Sequence, residues 1–199
     1  LVKTGNDFDS NVVYDTFKKE HVLTHGLRRD SRSLTGKAYI HVLKDAESSI
    51  TILPGANLHL TPEDILSREH LFEDCGYCLI STEIPEETAI QALKAAKKYH
   101  GKTIVKPAAL SALPEGLLEN TDIFVPNKNE AAILCPGETS VEKQAGFFIS
   151  KGCPVVIITL GHKGCFLRTS EESLYFPASN FPSVDSTGGA DAFIAALAS

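Results

Sequence analysis

The sequence predicts an α/β fold: a three-layer α/β/α, doubly wound, mostly parallel sheet with a small β lid. Three observations predict it. Short apolar runs at residues 78–80, 103–105, 122–125 and 155–160 punctuate the chain after the first 77 residues, as strands buried on both faces do. The segments between them, 86–100, about 129–134 and 141–151, carry apolar residues at helical spacing. Residues 37–43 and 49–53 instead form two strand-like runs separated by Lys44-Asp45-Ala46-Glu47, a β-hairpin pattern. A hairpin does not fit inside a buried parallel sheet, so residues 37–53 are expected to project as a lid over one edge.

In chain order, residues 9–20 read as an amphipathic helix capped by Asp9 or Ser10, with Val12, Val13 and Phe17 on one face. Residues 21–34 read as polar and irregular, with Arg28, Arg29 and Asp30 in a solvated patch. The hairpin follows, and Pro54-Gly55-Ala56-Asn57 ends it with turn residues. In the helix over 86–100, Ala89, Leu93 and Ala96 face inward, Lys94, Lys97 and Lys98 lie near the end, and Gly101 stops it. Pro107 breaks the strand before it, and Gly152 ends the helix over 141–151.

Composition narrows the class. At 199 residues the chain can form one domain with a substantial core. With 43% hydrophobic and 22% charged residues it is an ordinary globular sequence, and a net charge of -6 argues against nucleic acid as a partner. No apolar run approaches the ~20 residues of a membrane helix, and no signal-peptide pattern is read at the start. A cytoplasmic protein without a membrane partner is therefore expected. The five cysteines suit free thiols in a reducing compartment. Cys75 and Cys78 form a CxxC without the second pair of a zinc site, and His21 and His25 lack a third ligand. The chain starts at Leu1 and contains no methionine, an absence improbable by chance. The expectation is one domain over residues 1–199, truncated at both ends.

Functional residues of an open α/β sheet sit in loops past the C-terminal ends of its strands. Those positions hold Ser81-Thr82-Glu83-Ile84-Pro85, Pro126-Asn127-Lys128-Asn129-Glu130, Gly161-His162-Lys163-Gly164, and Asp185-Ser186-Thr187-Gly188-Gly189-Ala190-Asp191-Ala192-Phe193. In the last stretch, two glycines and an alanine leave backbone amides uncovered ahead of a run of strong helix formers. A helix opening there points unsatisfied N–H groups and a positive dipole end at an anion. Asp191 sets a carboxylate beside that anion, which does not help to hold it and suggests proton removal. Each stretch also has a structural reading. Asp191 can satisfy the helix dipole, Glu83 can be a first-turn acid, Asn127 and Glu130 can form a capping box, and Thr159 and Gly161 can be an ordinary strand exit. Their joint placement beside a helix-start anion site favours chemistry. A Rossmann dehydrogenase would need a G-x-G-x-x-G after its first strand, and the sequence has none.

Together these residues resemble the ribokinase-like, or PfkB, carbohydrate kinase family. Residues 185–193 are similar to its C-terminal signature, D-T-T-G-A-G-D-x-F. Thr35-Gly36-Lys37-Ala38-Tyr39-Ile40 and Pro54-Gly55-Ala56-Asn57 resemble its lid region. Glu83-Ile84-Pro85, Asn127 through Glu130, and Thr159-Leu160-Gly161 with Gly164 follow in the family's order. The resemblance implies an ATP-dependent kinase acting on a sugar hydroxyl, with ATP, Mg²⁺ and K⁺ as cofactors. It implies Asp191 as general base and the amides of Gly188, Gly189 and Ala190 as the anion hole. It further implies that Asn127 and Glu130 organise Mg²⁺ and its waters around the ATP phosphates. Asp185 and the Thr187 carbonyl then match a monovalent-cation site, Thr159, Gly161 and Gly164 border the nucleotide, and Glu83 lies near the sugar.

The alternatives are a nucleoside acceptor, or a non-catalytic nucleotide-binding protein of the same fold. Two departures stand out. Glycine and alanine are exchanged in the G-A-G-D core, so a positive φ at position 190 would fall on an alanine. Lys106 precedes Pro107-Ala108 where an asparagine is usual, offering a point charge to a phosphate. The family's N-terminal sugar motif has no counterpart here, and the chain ends before the helix and loop that complete the adenine pocket. A homodimer through the exposed lid edges is expected.

Overall fold

The computed structural model describes residues 1–42, 48–179 and 187–199, which leaves the hairpin turn at 44–47 and Asp185 outside the described residues. They fall into two compact units, Leu1–Leu71 with Glu83–Gln91, and Phe72–Thr82 with Ala92–Ser199.

In the first unit, β1 (Val2–Gly5), α1 (Phe8–Lys19) and β2 (Leu27–Asp30) follow one another, and β1 pairs with β2 in parallel. The stretch 21–34 is therefore not irregular throughout. Leu-Arg-Arg-Asp carries no period-two signal, and pairing with β1 rather than propensity makes it a strand. Asp30 tolerates burial because it is well partnered: it accepts the Arg32 backbone N–H at 2.9 Å and faces the His59 ring. First the Arg32 amide and then His59 hold its carboxyl well below the usual carboxylate range.

The cap of α1 is Asp7, ahead of the expected Asp9 or Ser10. Its backbone is extended and its Oδ1 accepts the Ser10 N–H at 3.0 Å. The same carboxylate accepts the Thr35 hydroxyl at 2.6 Å and the Thr35 N–H at 2.8 Å, so the helix start also anchors the root of the hairpin. These bonds, those from Thr35 first, lower the Asp7 pKa from 3.8 to about 2. A depressed carboxylate contributes stability that is complete above its unfolded pKa and is lost as pH falls through its folded one. Melting curves are therefore expected to show Asp7-dependent loss of stability from about pH 4 down to about pH 2. Asp7→Asn should flatten that part of the profile, and an unchanged pH dependence in the variant would contradict this account.

The hairpin expected from the sequence forms from β3 (Lys37–Val42) and β4 (Ser48–Leu53), a separate two-stranded antiparallel sheet with Lys37 opposite Leu53. Ala38, Ile40, Ile50 and Ile52 share one face through their cross-strand pairing, and the three isoleucines are exposed. Glycine is required at position 55, where the chain closes the hairpin base. Its φ is +52°, and a Cβ there would lie 2.4 Å from the Leu34 carbonyl oxygen. A 3-10 turn (Gly55–His59) and α2 (Pro62–Leu66), opened by a Thr61–Asp64 capping box, follow.

The second unit is built on β5 (Tyr77–Ser81), β6 (Lys102–Lys106), β7 (Ile123–Phe124), β8 (Val155–Thr159), β9 (Cys165–Arg168) and β10 (Ser173–Phe176), which form one sheet in that order. Strands β5 to β8 are parallel, β9 is antiparallel to β8, and β10 is antiparallel to β9. β10 therefore leaves the sheet on the same edge as β8. The last two strands extend the sheet past the expected end at 155–160. Both are four residues long, and although each carries a short apolar run, Cys165-Phe166-Leu167 and Leu174-Tyr175-Phe176, every residue of β10 is exposed.

Helices α3 (Glu86–Lys98), α4 (Lys128–Leu134), α5 (Val141–Ser150) and α6 (Gly189–Leu197) accompany these strands in sequence. Around β7 the alternation of faces is direct. Ile123 and Val125 join Ile104, Ile157, Cys165 and Ile194 of α6 in one cluster. Phe124, between them, meets Phe148 of α5 edge-on with ring centroids 5.1 Å apart. The sheet thus lies between α6 and α5, which is the expected three-layer α/β/α arrangement with a mostly parallel sheet.

Ala89, Leu93 and Ala96 of α3 are buried, as their spacing predicts. The helix stop differs from expectation: His100, not Gly101, takes the left-handed turn at φ +63°. Gly101 is needed for room, since a Cβ there would lie 2.7 Å from the Cys75 carbonyl oxygen. Among the described residues, no helix is long and apolar enough to cross a membrane.

Candidate active site

The parallel strands β6, β7 and β8 deliver their following loops to one edge of the second unit. After β6, the Thr82 hydroxyl donates to the Ala108 carbonyl at 2.6 Å and the Thr82 N–H donates to the Lys106 carbonyl at 3.2 Å. These bonds fix the backbone at the end of the strand. After β7, Asn127 has an extended backbone that opens α4. Its Oδ1 accepts the Glu130 N–H at 2.8 Å, and Glu130 Oε2 accepts the Asn127 N–H at 2.7 Å. This is the capping box read from the N-x-x-E spacing. Thr159 lies alongside, its N–H donating to the Pro126 carbonyl at 2.9 Å and its backbone bridging to Asn127.

Sequence reasoning missed the partner of Glu130. The Lys106 ammonium donates to both of its carboxylate oxygens, with the two side chains 12% and 19% exposed. Lys106 stands out in the sequence because it precedes Pro107-Ala108, but no local spacing connects it to Glu130. The contact exists because β6 and β7 are parallel neighbours that end on the same edge.

The turn after β8 is closed by Leu160 N–H to the Gly164 carbonyl at 2.8 Å and Gly164 N–H to the Gly161 carbonyl at 3.0 Å. The two glycines have φ +61° and +95°. A Cβ at Gly161 would meet nothing within 4 Å, whereas one at Gly164 would lie 1.9 Å from the Phe176 carbonyl oxygen. The turn is therefore open at Gly161, and at Gly164 it abuts the chain leaving β10.

At the start of α6, Gly188 takes the left-handed conformation, φ +75°, and as a glycine brings no side chain to cap the helix. The first helical bond runs from the Ala192 N–H to the Gly188 carbonyl at 2.9 Å, so the preceding amides have no partner within the helix. Thr187, Gly188, Gly189, Ala190 and Asp191 are all exposed, and among the described residues a Cβ at either glycine would meet nothing within 4 Å. The exchange of glycine and alanine is harmless here. The positive φ falls at Gly188, and Ala190 is not among the residues with one.

The structure brings Asn127, Glu130, Thr159 and Lys106 together, with the turn bearing Gly161 and Gly164 following directly from β8. The amides of Gly188, Gly189 and Ala190 and the Asp191 carboxylate share the opening turn of α6. Glu83 is exposed and belongs to the first unit, as does the hairpin. Burial pushes the Cys78 thiol up to about 12, the opposite of the depressed pKa that activates a reactive thiolate.

A family model described as pfkB family carbohydrate kinase matches residues 1–199. The bifunctional ribokinase/ribose-5-phosphate isomerase A of Fructilactobacillus sanfranciscensis is 36% identical over 203 residues, taking in 100% of this chain and 38% of that protein. The ribokinase of Staphylococcus aureus is 32% identical over 203 residues, 100% of this chain and 67% of the relative. The crystal structure of ribokinase from Thermotoga maritima is 33% identical with a TM-score of 0.84, covering 98% of this chain and 66% of its own. The chain spans between 38% and 67% of the length of these proteins.

Proposed function

The chain belongs to the pfkB family of carbohydrate kinases, and from that premise we propose that it carries the catalytic part of an ATP-dependent kinase that phosphorylates a sugar hydroxyl. The observation that supports this most is the opening turn of α6. Its exposed amides at Gly188, Gly189 and Ala190, which precede the first helical bond, suit the negative charge of a transferring phosphoryl group. Asp191, in the same turn, accepts the proton of the acceptor hydroxyl. The chemistry demands positioning and charge stabilisation rather than a covalent intermediate, and a helix start with its amides aimed outward suits both.

Thr159, Gly161 and Gly164 would border ATP. Among the described residues no group of three or more His, Cys, Asp or Glu could hold a metal. Glu130 offers a single hard carboxylate beside an open rim, a donor set that suits Mg²⁺ shared with phosphates. Bound there, Mg²⁺ neutralises phosphate charge. Asp185 and the Thr187 carbonyl are the proposed K⁺ ligands, and Glu83 with the hairpin the proposed sugar-side residues. The five free thiols support a cytoplasmic setting, and the exposed face of Ile40, Ile50 and Ile52 supports pairing of two hairpins in a homodimer.

The test is ADP release by the full chain against a panel of sugars and nucleosides, with and without K⁺. Stimulation by a sugar is the expected result, and stimulation by nucleosides alone would transfer the reading to a nucleoside kinase. ATP binding with no stimulating acceptor would favour a regulatory protein of the same fold. Sedimentation of the same preparation tests the dimer, and a monomer across micromolar concentrations would count against it.

A further inference from the structure

Building on the kinase reading, we propose that the Lys106–Glu130 ion pair is a reciprocal latch that makes binding of a divalent cation and of nucleotide phosphates interdependent. Lys106 closes β6, and its carbonyl accepts the Thr82 N–H at 3.2 Å and the Ala108 N–H at 2.9 Å, so the root of the side chain is fixed. Its ammonium is held on both oxygens of Glu130, in surroundings that leave the two side chains 12% and 19% exposed. Removing the partner of a charge so placed is costly.

The pair as a whole is neutral. For Glu130 to reach a cation it must release the ammonium, leaving Lys106 uncompensated. For Lys106 to reach a phosphate it must release the carboxylate, leaving Glu130 uncompensated. When cation and phosphate are both present, each released group finds a new partner of opposite charge, and neither cost is borne. The two ligands therefore tighten each other's binding by the same factor. Lysine and glutamate acting separately would give two independent contacts; their pairing couples them. Glu130 also keeps its place without the lysine, because it accepts the Asn127 N–H at 2.7 Å.

The experiment measures Mn²⁺ binding alone, and ADP binding in EDTA, on the full chain by calorimetry. Lys106→Gln frees the carboxylate and is expected to bind Mn²⁺ about tenfold more tightly than the unmodified chain. Glu130→Gln frees the ammonium while its amide oxygen can still accept the Asn127 N–H. It is expected to bind metal-free ADP about tenfold more tightly. A merely structural ion pair would give losses or no change in both variants, and either result overturns the latch. If melting shows that Lys106→Gln is unfolded, the Glu130→Gln arm decides alone. An unmodified chain that binds no ADP even with Mn²⁺ overturns the kinase reading. ADP binding without the crossed gains overturns the latch only.

Discussion

Asp191→Asn is expected to lower turnover by about 10³-fold while ATP affinity stays within about threefold. The substitution is nearly isosteric, so the first turn of α6 keeps its shape and Gly188 keeps its left-handed conformation. The amides that would face the phosphoryl group come from the backbone and are untouched. What is lost is a group able to take a proton from the acceptor hydroxyl. The effect should therefore fall on kcat, with KM for ATP little changed, because the base acts in the transition state and not in nucleotide binding. Steady-state kinetics with calorimetric ATP binding check this. Turnover within tenfold of the unmodified chain would remove Asp191 from the role of base, since positioned general bases contribute about 10² to 10⁴.

The legible parts of the fold are those whose signal is local. Strand β8, with Val156, Ile157 and Ile158 buried, is an unbroken apolar run because it faces helices on both sides. α3 announces itself through Ala89, Leu93 and Ala96 at helical spacing. By contrast, β2 is Leu-Arg-Arg-Asp, and it becomes a strand only because β1 lies beside it. Pairing between distant segments leaves no trace in the periodicity of either one. β10 differs: its Leu174-Tyr175-Phe176 run lies just past β9 and pairs with it as a local hairpin, and its exposure rather than its distance sets it apart from the buried strands.

The candidate site divides in the same way. The Asn127–Glu130 box and the Gly188–Asp191 turn were readable because their bonds span three or four residues. The Lys106–Glu130 pair spans 24 residues of sequence and needed the parallel register of β6 and β7 to appear. Conformation was also less legible than chemistry. The sequence marked residues 188–190 as an amide-rich turn, but only the structure assigned the left-handed φ to Gly188 and so removed the burden from Ala190.

Gly164→Ala is expected to destabilise the chain by at least about 3 kcal/mol, against about 1–2 kcal/mol for Gly161→Ala. Both glycines have positive φ, +61° at Gly161 and +95° at Gly164, so both substitutions incur backbone strain. Only one meets an obstacle. The new Cβ at position 164 would lie 1.9 Å from the Phe176 carbonyl oxygen, 2.7 Å from the Ala178 nitrogen and 2.8 Å from the Pro177 carbonyl carbon. These are backbone atoms and cannot rotate away. Phe176 is also paired with Cys165 in the β9–β10 ladder, so relief would have to break that register or push the chain after β10 off the turn. At position 161 the Cβ would meet nothing within 4 Å, which leaves the conformational cost alone. Urea denaturation of both variants separates the two contributions. Equal losses would show that strain, and not the packing of the β8 turn against residues 176–178, is what demands glycine at this rim.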